Sequence, residues 1–177
     1  IYMLLKKIGE MQTQPVPMVH NECDEILRET TELAKKQDLK GFEALYASRP
    51  NFVEEQSIIR TTYLARITRS PLYIVHLSTK EGLEVVRNEK RLGTNIIVET
   101  CPHHLALTKD HGVEAAKGYP IASFNPPLRS QEDVESLWTG IRRGDINCIG
   151  SDHVTLKLSI RKAVYGSQGM ETLFPLT

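Results

Sequence analysis

Three short apolar runs in this sequence each end at a side chain that can bind a metal ion or move a proton. The run VPMVH ends at His20, LYIVH ends at His76, and INCIGSD ends at Asp152. Short apolar runs of this kind are typical of buried strands. Because such strands need helices packed on their sheet, the runs restrict the chain to a parallel α/β fold.

The segments between these runs carry apolar side chains at helical spacing. Ser78 begins the sequence S-T-K-E, which has the spacing of a capping box, so a helix is predicted to start there. A fourth strand is predicted at 95–101, while 38–51 and 102–131 are expected to be irregular. The alternation predicts parallel strands joined by crossover helices. The predicted helices are 1–11, 24–37, 52–68, 78–92 and 132–143.

The composition argues against several classes of partner. At 177 residues the chain is long enough for a sizeable core, and we expect residues 1–177 to form a single domain. Its 22 basic and 22 acidic side chains balance, which argues against a nucleic acid or an anionic membrane. No apolar stretch approaches the roughly 20 residues that cross a bilayer. Cys23, Cys101 and Cys148 are odd in number and widely spaced, as in reduced proteins, so a cytoplasmic location is predicted.

Functional side chains of parallel α/β folds gather at the carboxyl ends of the strands. His20, His76 and Asp152 are all expected there, and imidazole and carboxylate groups suit zinc and similar divalent ions. Asp152 could instead act as a base. A single histidine at a strand end is more often a satisfied polar residue than a ligand, but three side chains in the same structural position favour a site.

Other polar residues give weaker signals. Adjacent residues on an extended segment point in opposite directions, so at most one of His103 and His104 is expected to face a site, and a structural role is favoured. Asp110 and His111 are interpreted as solvated loop residues. The G-S-Q-G sequence at 166–169 lacks the preceding strand and following lysine of a phosphate loop.

Eight segments of the sequence, taken in order, resemble one family. They are VPMVHNE, RPNFVEEQSIIRTTYLAR, SPLYIVHLS, ETCPHHL, FNPPLR, LWTGIRRGDI, GSDH and GMETLFPL. Each is weak alone, but their succession over about residues 10–177 resembles the cyclic amidohydrolases of the amidohydrolase superfamily. The resemblance is greatest to the hydantoinase/dihydropyrimidinase group, with allantoinase and dihydroorotase nearby.

The resemblance implies a TIM-type (β/α)8 barrel, of which this chain would supply about strands 5–8 with their helices. It implies that His20 and His76 bind one divalent ion, with zinc expected, and that Asp152 binds a second ion and shuttles protons. The backbone at Asn125 would contact the substrate. The implied reaction is hydrolysis of a cyclic amide such as a hydantoin or dihydropyrimidine, with Asp152 moving a proton to the leaving nitrogen.

The chain also departs from the family pattern. It contains no His-x-His pair of the kind found on the family's first strand, and the carboxylated lysine that bridges two metal ions in the family belongs to an earlier strand. We therefore interpret the chain as the C-terminal half of a barrel. Such a fragment is expected to be inactive, and to bind zinc weakly, when isolated.

Two other functions stay open at this point. One is a catalytically inactive assembly or scaffold protein, as among the dihydropyrimidinase-related proteins, and the retention of the three strand-end residues argues against it. A packing module that is stable only as an oligomer is the other alternative. An open half-barrel exposes inward side chains, such as Ile74 and Val98 or their neighbours, and leaves two sheet edges unpaired. Association with another copy or with the missing half is therefore predicted.

Overall fold

A computed structural model describes residues 1–111 and 124–154 of the chain. The G-S-Q-G segment at 166–169 lies outside these residues. Within them, no helix is long and apolar enough to cross a membrane. The helices are α1 (Tyr2–Gly9), α2 (Asp24–Lys36), α3 (Gly41–Ser48), α4 (Asn51–Thr68), α5 (Lys80–Arg91), α6 (Pro102–Ala106) and α7 (Gln131–Arg143). The strands are β1 (Met18–Val19), β2 (Leu72–Ile74), β3 (Ile96–Thr100) and β4 (Cys148–Ile149).

The four strands form one parallel sheet in the order β1-β2-β3-β4. Val19 pairs with Ile74, Ile74 with Val98, and Thr100 with Ile149. Because all three pairings are parallel, the carboxyl ends of the four strands reach the same edge. Each strand follows its neighbour in the chain through one or more helices. The predicted parallel α/β sheet is confirmed.

The main hydrophobic core lies between one face of this sheet and the helices. Leu72, Ile74, Ile96 and Val98 point to this side, and each is at most 5% exposed. Their alternation with less buried neighbours is the pattern of strands that have one well-covered face. The helical side chains of this core are Leu5, Ile58, Ala65, Leu83, Val86 and Leu137.

The other face of the sheet is much less covered. Tyr73 and Ile97 are half-buried there, and Met18, which pairs with Tyr73, is 64% exposed. The expectation that Ile74 and Val98 point into a barrel is wrong for these two residues, because both pack in the core with the helices. Their neighbours Tyr73 and Ile97 take the inward positions, since successive side chains of a strand alternate between faces.

Two short helices lie where the sequence predicted irregular chain. In helix α3 only Leu45 and Ser48 are buried, so a clear apolar period is absent from its sequence. Helix α6 begins at Pro102, where the fixed φ of proline favours a first helical turn. The predicted strand around His76 is also shorter than expected, because β2 ends at Ile74.

Ser78 joins a buried ion pair instead of capping helix α5. The cap is Thr79, whose Oγ1 accepts a hydrogen bond from the Gly82 N–H. Ser78 Oγ donates to Glu54 Oε2 at 2.7 Å and accepts from Arg129 Nε at 3.0 Å. Glu54 Oε2 and Arg129 Nη2 are 3.8 Å apart, and neither side chain is more than 5% exposed. The network links α4 to the segment after β2 and to the segment before α7.

We expect Arg129→Met to destabilise the chain by about 3–5 kcal/mol, because it leaves the Glu54 carboxylate buried without a compensating charge. Urea unfolding followed by circular dichroism measures the change in free energy. The matched control is Arg28→Met, which removes an exposed ion pair to Asp24 and should cost at most about 1 kcal/mol. Glu54→Gln combined with Arg129→Met should recover part of the loss. Equal destabilisation by the two single variants would contradict this account.

Candidate metal and active site at the strand ends

His20 and His76 meet where β1 and β2 end. His20 directly follows β1, and His76 lies just beyond β2. His20 Nδ1 and His76 Nε2 are 3.0 Å apart, and the two rings lie edge to face. Two nitrogens on one tetrahedral zinc ion are about 3.3 Å apart, given Zn–N bonds of about 2.0–2.1 Å. The pair therefore fits two ligands of a single ion with only a small adjustment.

Glu22 orients the ring of His20. Glu22 Oε2 lies 2.9 Å from His20 Nε2, and Glu22 Oε1 lies 3.2 Å from Arg49 Nε. When Nε2–H donates to this carboxylate, the lone pair of Nδ1 is left facing His76, which is the arrangement common among metal-ligating histidines. Burial raises the pKa of Glu22, but the hydrogen bond with His20 and the charge of Arg49 bring it below its ordinary value.

His76 is held as a neutral, buried imidazole. It is 6% exposed, and burial together with the neighbouring His20 lowers its pKa to about 4. A neutral ring keeps the lone pair that a metal ion needs. Its Nδ1 has no hydrogen-bond partner within 1–111 and 124–154. The backbone of His76 has a φ of 39°, in the left-handed region, and such conformations cluster at functional sites.

Glu99, on β3, connects several parts of the site. Its Oε1 accepts a hydrogen bond from the backbone N–H of His76 at 3.3 Å, and its Oε2 accepts one from the Tyr73 hydroxyl at 2.7 Å. Gly150, just after β4, approaches so closely that an added Cβ would lie 2.5 Å from Glu99 Oε2. Any side chain at position 150 would therefore have to displace this carboxylate.

Asp152 follows β4 and lies at the same edge of the sheet as the two histidines. Burial and the charge of Glu99 raise the pKa of Asp152, while His20 lowers it. A carboxyl group whose pKa is raised toward neutrality is better suited to general acid–base catalysis. The strand ends thus bring the three predicted residues to one edge, and their roles as ligands and proton carrier stay predictions.

Asn125 lies in the segment before α7, close to the C-P-H-H turn. Its neighbour Phe124 stacks on His103 with ring centroids 4.2 Å apart, and the carbonyl oxygen of Pro126 lies 3.2 Å from His104 Nε2. Asn125 Oδ1 is buried and has no hydrogen-bond partner among the described residues. The role of Asn125 in binding substrate stays a prediction.

Cys101, His103 and His104 form a second group of possible metal ligands. One ligand atom from each lies within 4.8 Å of the others, and all three side chains are buried. The two imidazole rings have centroids 4.3 Å apart. The premise of an extended segment is wrong, because Pro102–Ala106 is a helical turn, so ligand atoms of both histidines can lie on one side. Whether either histidine serves a site stays a prediction.

Glu22, Arg49 and Glu99 were not predicted from the sequence. Glu22 lies two positions after His20, and residues two apart in extended chain point to the same side. This spacing could have predicted that Glu22 lies beside His20. Glu99 is an acidic residue inside a strand of apolar residues, which was also visible. Arg49 reaches Glu22 from the end of α3 and left no local signal. Asp110 and His111 are exposed, as predicted, but both lie in a helical turn and not in a loop.

Comparison with known proteins agrees with this architecture. No model of a protein family matches the chain. The dihydroorotase of Geotalea daltonii is 38% identical over 134 residues, which cover 72% of this chain and 31% of that protein. The L-hydantoinase (dihydropyrimidinase) of Arthrobacter aurescens superposes with a TM-score of 0.89 and 27% identity, over 99% of this chain and 40% of that one. A D-hydantoinase structure superposes with a TM-score of 0.87 and 27% identity, over 98% and 40%.

The chain therefore spans 31% of the length of that dihydroorotase and 40% of the length of the two hydantoinases. Its four parallel strands and their helices match part of the TIM-type barrel of the hydantoinase neighbours. The sequence comparison finds dihydroorotases, and the backbone superposition finds hydantoinases. Both groups belong to one superfamily. The chain belongs to the cyclic amidohydrolases of the amidohydrolase superfamily and corresponds to a part of their barrel.

Proposed function

We propose that residues 1–177 are one partial-barrel domain of a metal-dependent hydrolase that cleaves the C–N bond of a cyclic amide. The observation that carries this proposal is the 3.0 Å approach of His20 Nδ1 to His76 Nε2 at the ends of two parallel strands. Hydantoins and dihydropyrimidines are the first substrate class. Dihydroorotate is a second candidate, because identity to a dihydroorotase is 38%, against 27% to the hydantoinases.

In this proposal His20 and His76 bind one divalent ion, with zinc expected, and Asp152 contributes to a second metal position. A divalent ion at such a site activates water and polarises a carbonyl group. Glu22 keeps the ring of His20 in the orientation that binding needs. Asp152 carries a proton to the leaving nitrogen of the opened ring, and the backbone at Asn125 orients the cyclic amide. Two histidines are fewer ligands than the three or four of most zinc sites, so the isolated chain binds zinc weakly at this edge.

We expect Glu22→Ala to weaken zinc binding at His20 and His76 by about 10–100-fold, because the partner that orients a ligand is lost. The measurement is a zinc titration of the 177-residue chain, followed by NMR through the ring resonances of the two histidines. Glu25→Ala, on the exposed side of α2, is the matched control and should bind as the parent does. The proposal is contradicted if zinc does not shift these resonances, or if both variants weaken binding equally.

For catalysis, we expect Asp152→Asn to lower turnover by about 10²–10⁴-fold, the usual contribution of a general acid or base. The assay follows ring opening of a hydantoin, a dihydropyrimidine and dihydroorotate by the whole gene product that contains this chain, while the 177 residues alone should be inactive. His153→Asn, which changes the exposed neighbour of Asp152, is the control. A whole product that contains no metal and opens none of the three rings would instead support the assembly or scaffold alternative.

We also propose that the open face of the sheet associates with another copy of the chain or with the missing part of the barrel. Met18 is 64% exposed, and Tyr73 and Ile97 are half-buried beside it. Burying a large apolar side chain contributes about 1.5–3 kcal/mol, so covering this face is favourable. All three cysteines are free thiols, which suits the cytoplasmic location that we propose.

We expect Met18→Glu to reduce self-association of the 177-residue chain, because it places a charge on the face that would be buried. Light scattering at micromolar concentration measures the mass. Leu92→Glu is a matched control, since Leu92 is 63% exposed at the end of α5, away from this face. A parent chain that is a well-folded monomer, or two variants that reduce the mass equally, would refute self-association through this face.

A further inference from the structure

The C-P-H-H turn after β3 brings together three side chains that suit a zinc ion. Helix α6 starts at Pro102, and its first turn places one ligand atom each from Cys101, His103 and His104 within 4.8 Å of one another. Nitrogen and sulfur ligand atoms on a tetrahedral zinc ion lie about 3.3–3.5 Å apart, given Zn–N and Zn–S bonds of about 2.0 and 2.3 Å. A contraction of up to about 1.5 Å, by rotation of the three side chains, would close the group around an ion.

His104 already has the environment of a metal ligand. It is 2% exposed, and its Nε2 lies 3.2 Å from the carbonyl oxygen of Pro126. A carbonyl oxygen can only accept, so this contact places the proton on Nε2 and leaves the lone pair on Nδ1. That Nδ1 is buried and has no hydrogen-bond partner within the described residues. Ligating histidines commonly donate their second N–H to a backbone carbonyl in this way.

His103 and Cys101 complete the donor set. His103 is 7% exposed, and its ring stacks in parallel on the ring of Phe124. Burial and the nearby His76 lower the pKa of His103 to about 3, so its ring is neutral and can ligate. Burial raises the pKa of the Cys101 thiol, as do the charges of Glu99 and Asp152. Cys101 therefore releases its proton to solvent when the metal binds.

We propose that Cys101, His103 and His104 form a second metal site, with three protein ligands and an open fourth position, that takes a borderline-soft divalent ion of the zinc type. One thiolate and two imidazoles match the ligand preference of zinc. The site is separate from the His20–His76 pair and shares no residue with it. Because Cys101 follows β3 and His104 contacts Pro126, a bound ion would clamp the end of that strand to the segment that contains Asn125.

The first test uses cobalt(II) as a spectroscopic substitute for zinc in the 177-residue chain. Coordination by a thiolate gives a sulfur-to-cobalt charge-transfer band that histidine and carboxylate ligands cannot produce, so the His20–His76 pair does not contribute. We expect the band in the parent chain, in Cys23→Ser and in Cys148→Ser. It should be lost in Cys101→Ser and weakened in His104→Asn, while His111→Asn, an exposed histidine, retains it.

A second measurement keeps the proposal testable if Cys101→Ser does not fold. X-ray absorption of the parent chain with one equivalent of zinc should show one sulfur at about 2.3 Å and two imidazole nitrogens at about 2.0–2.1 Å. The proposal is overturned if the parent gives no charge-transfer band, if the band persists in a folded Cys101→Ser, or if the absorption spectrum contains only nitrogen and oxygen ligands.

Discussion

The pairing register of β1 on β2 is the constraint on which the candidate site depends. Val19 pairs with Ile74, so its side chain points toward the helices and the next residue, His20, points to the less covered face. There His20 contacts His76. A shift by one residue would turn His20 toward the helices, because side chains alternate along a strand. Since β1 has only two residues, the register needs support from outside the sheet.

Asn21 supplies part of that support. Its Nδ2 donates to the carbonyl oxygen of Val19 at 3.0 Å, and its Oδ1 accepts from Thr61 Oγ1 at 2.8 Å. Asn21 is 2% exposed, so these bonds form away from competing water and are costly to lose. A buried amide that reaches helix α4 thus anchors the end of β1. The position of the first histidine depends on a helix that is distant in sequence.

The sequence predicted the parallel sheet, most helix positions and the three strand-end residues because these follow from local periodicity. His20, His76 and Asp152 each end an apolar run, and parallel strands collect such ends at one edge. Contacts made across the fold left no comparable signal. Arg49 meets Glu22 only after α3 turns the chain back, and Ser78 binds Glu54 and Arg129 where its local spacing suggested a cap. The helical turn at Cys101–His104 was missed because a single turn is too short to show a period.

Gly150 shows how closely the charges at this edge are packed. Its backbone does not adopt the left-handed conformation that explains many glycines, whereas Gly93, at the end of α5, has a φ of 87° and open space around it. Glycine suits position 93 because of its left-handed backbone conformation, which asparagine can also adopt. Glycine suits position 150 because it has no side chain, and the Glu99 carboxylate occupies the space that a Cβ would take. In a library of variants, position 93 should accept residues according to their dihedral preference, whereas any residue accepted at position 150 should move the Glu99 carboxylate away from Tyr73 and the His76 N–H.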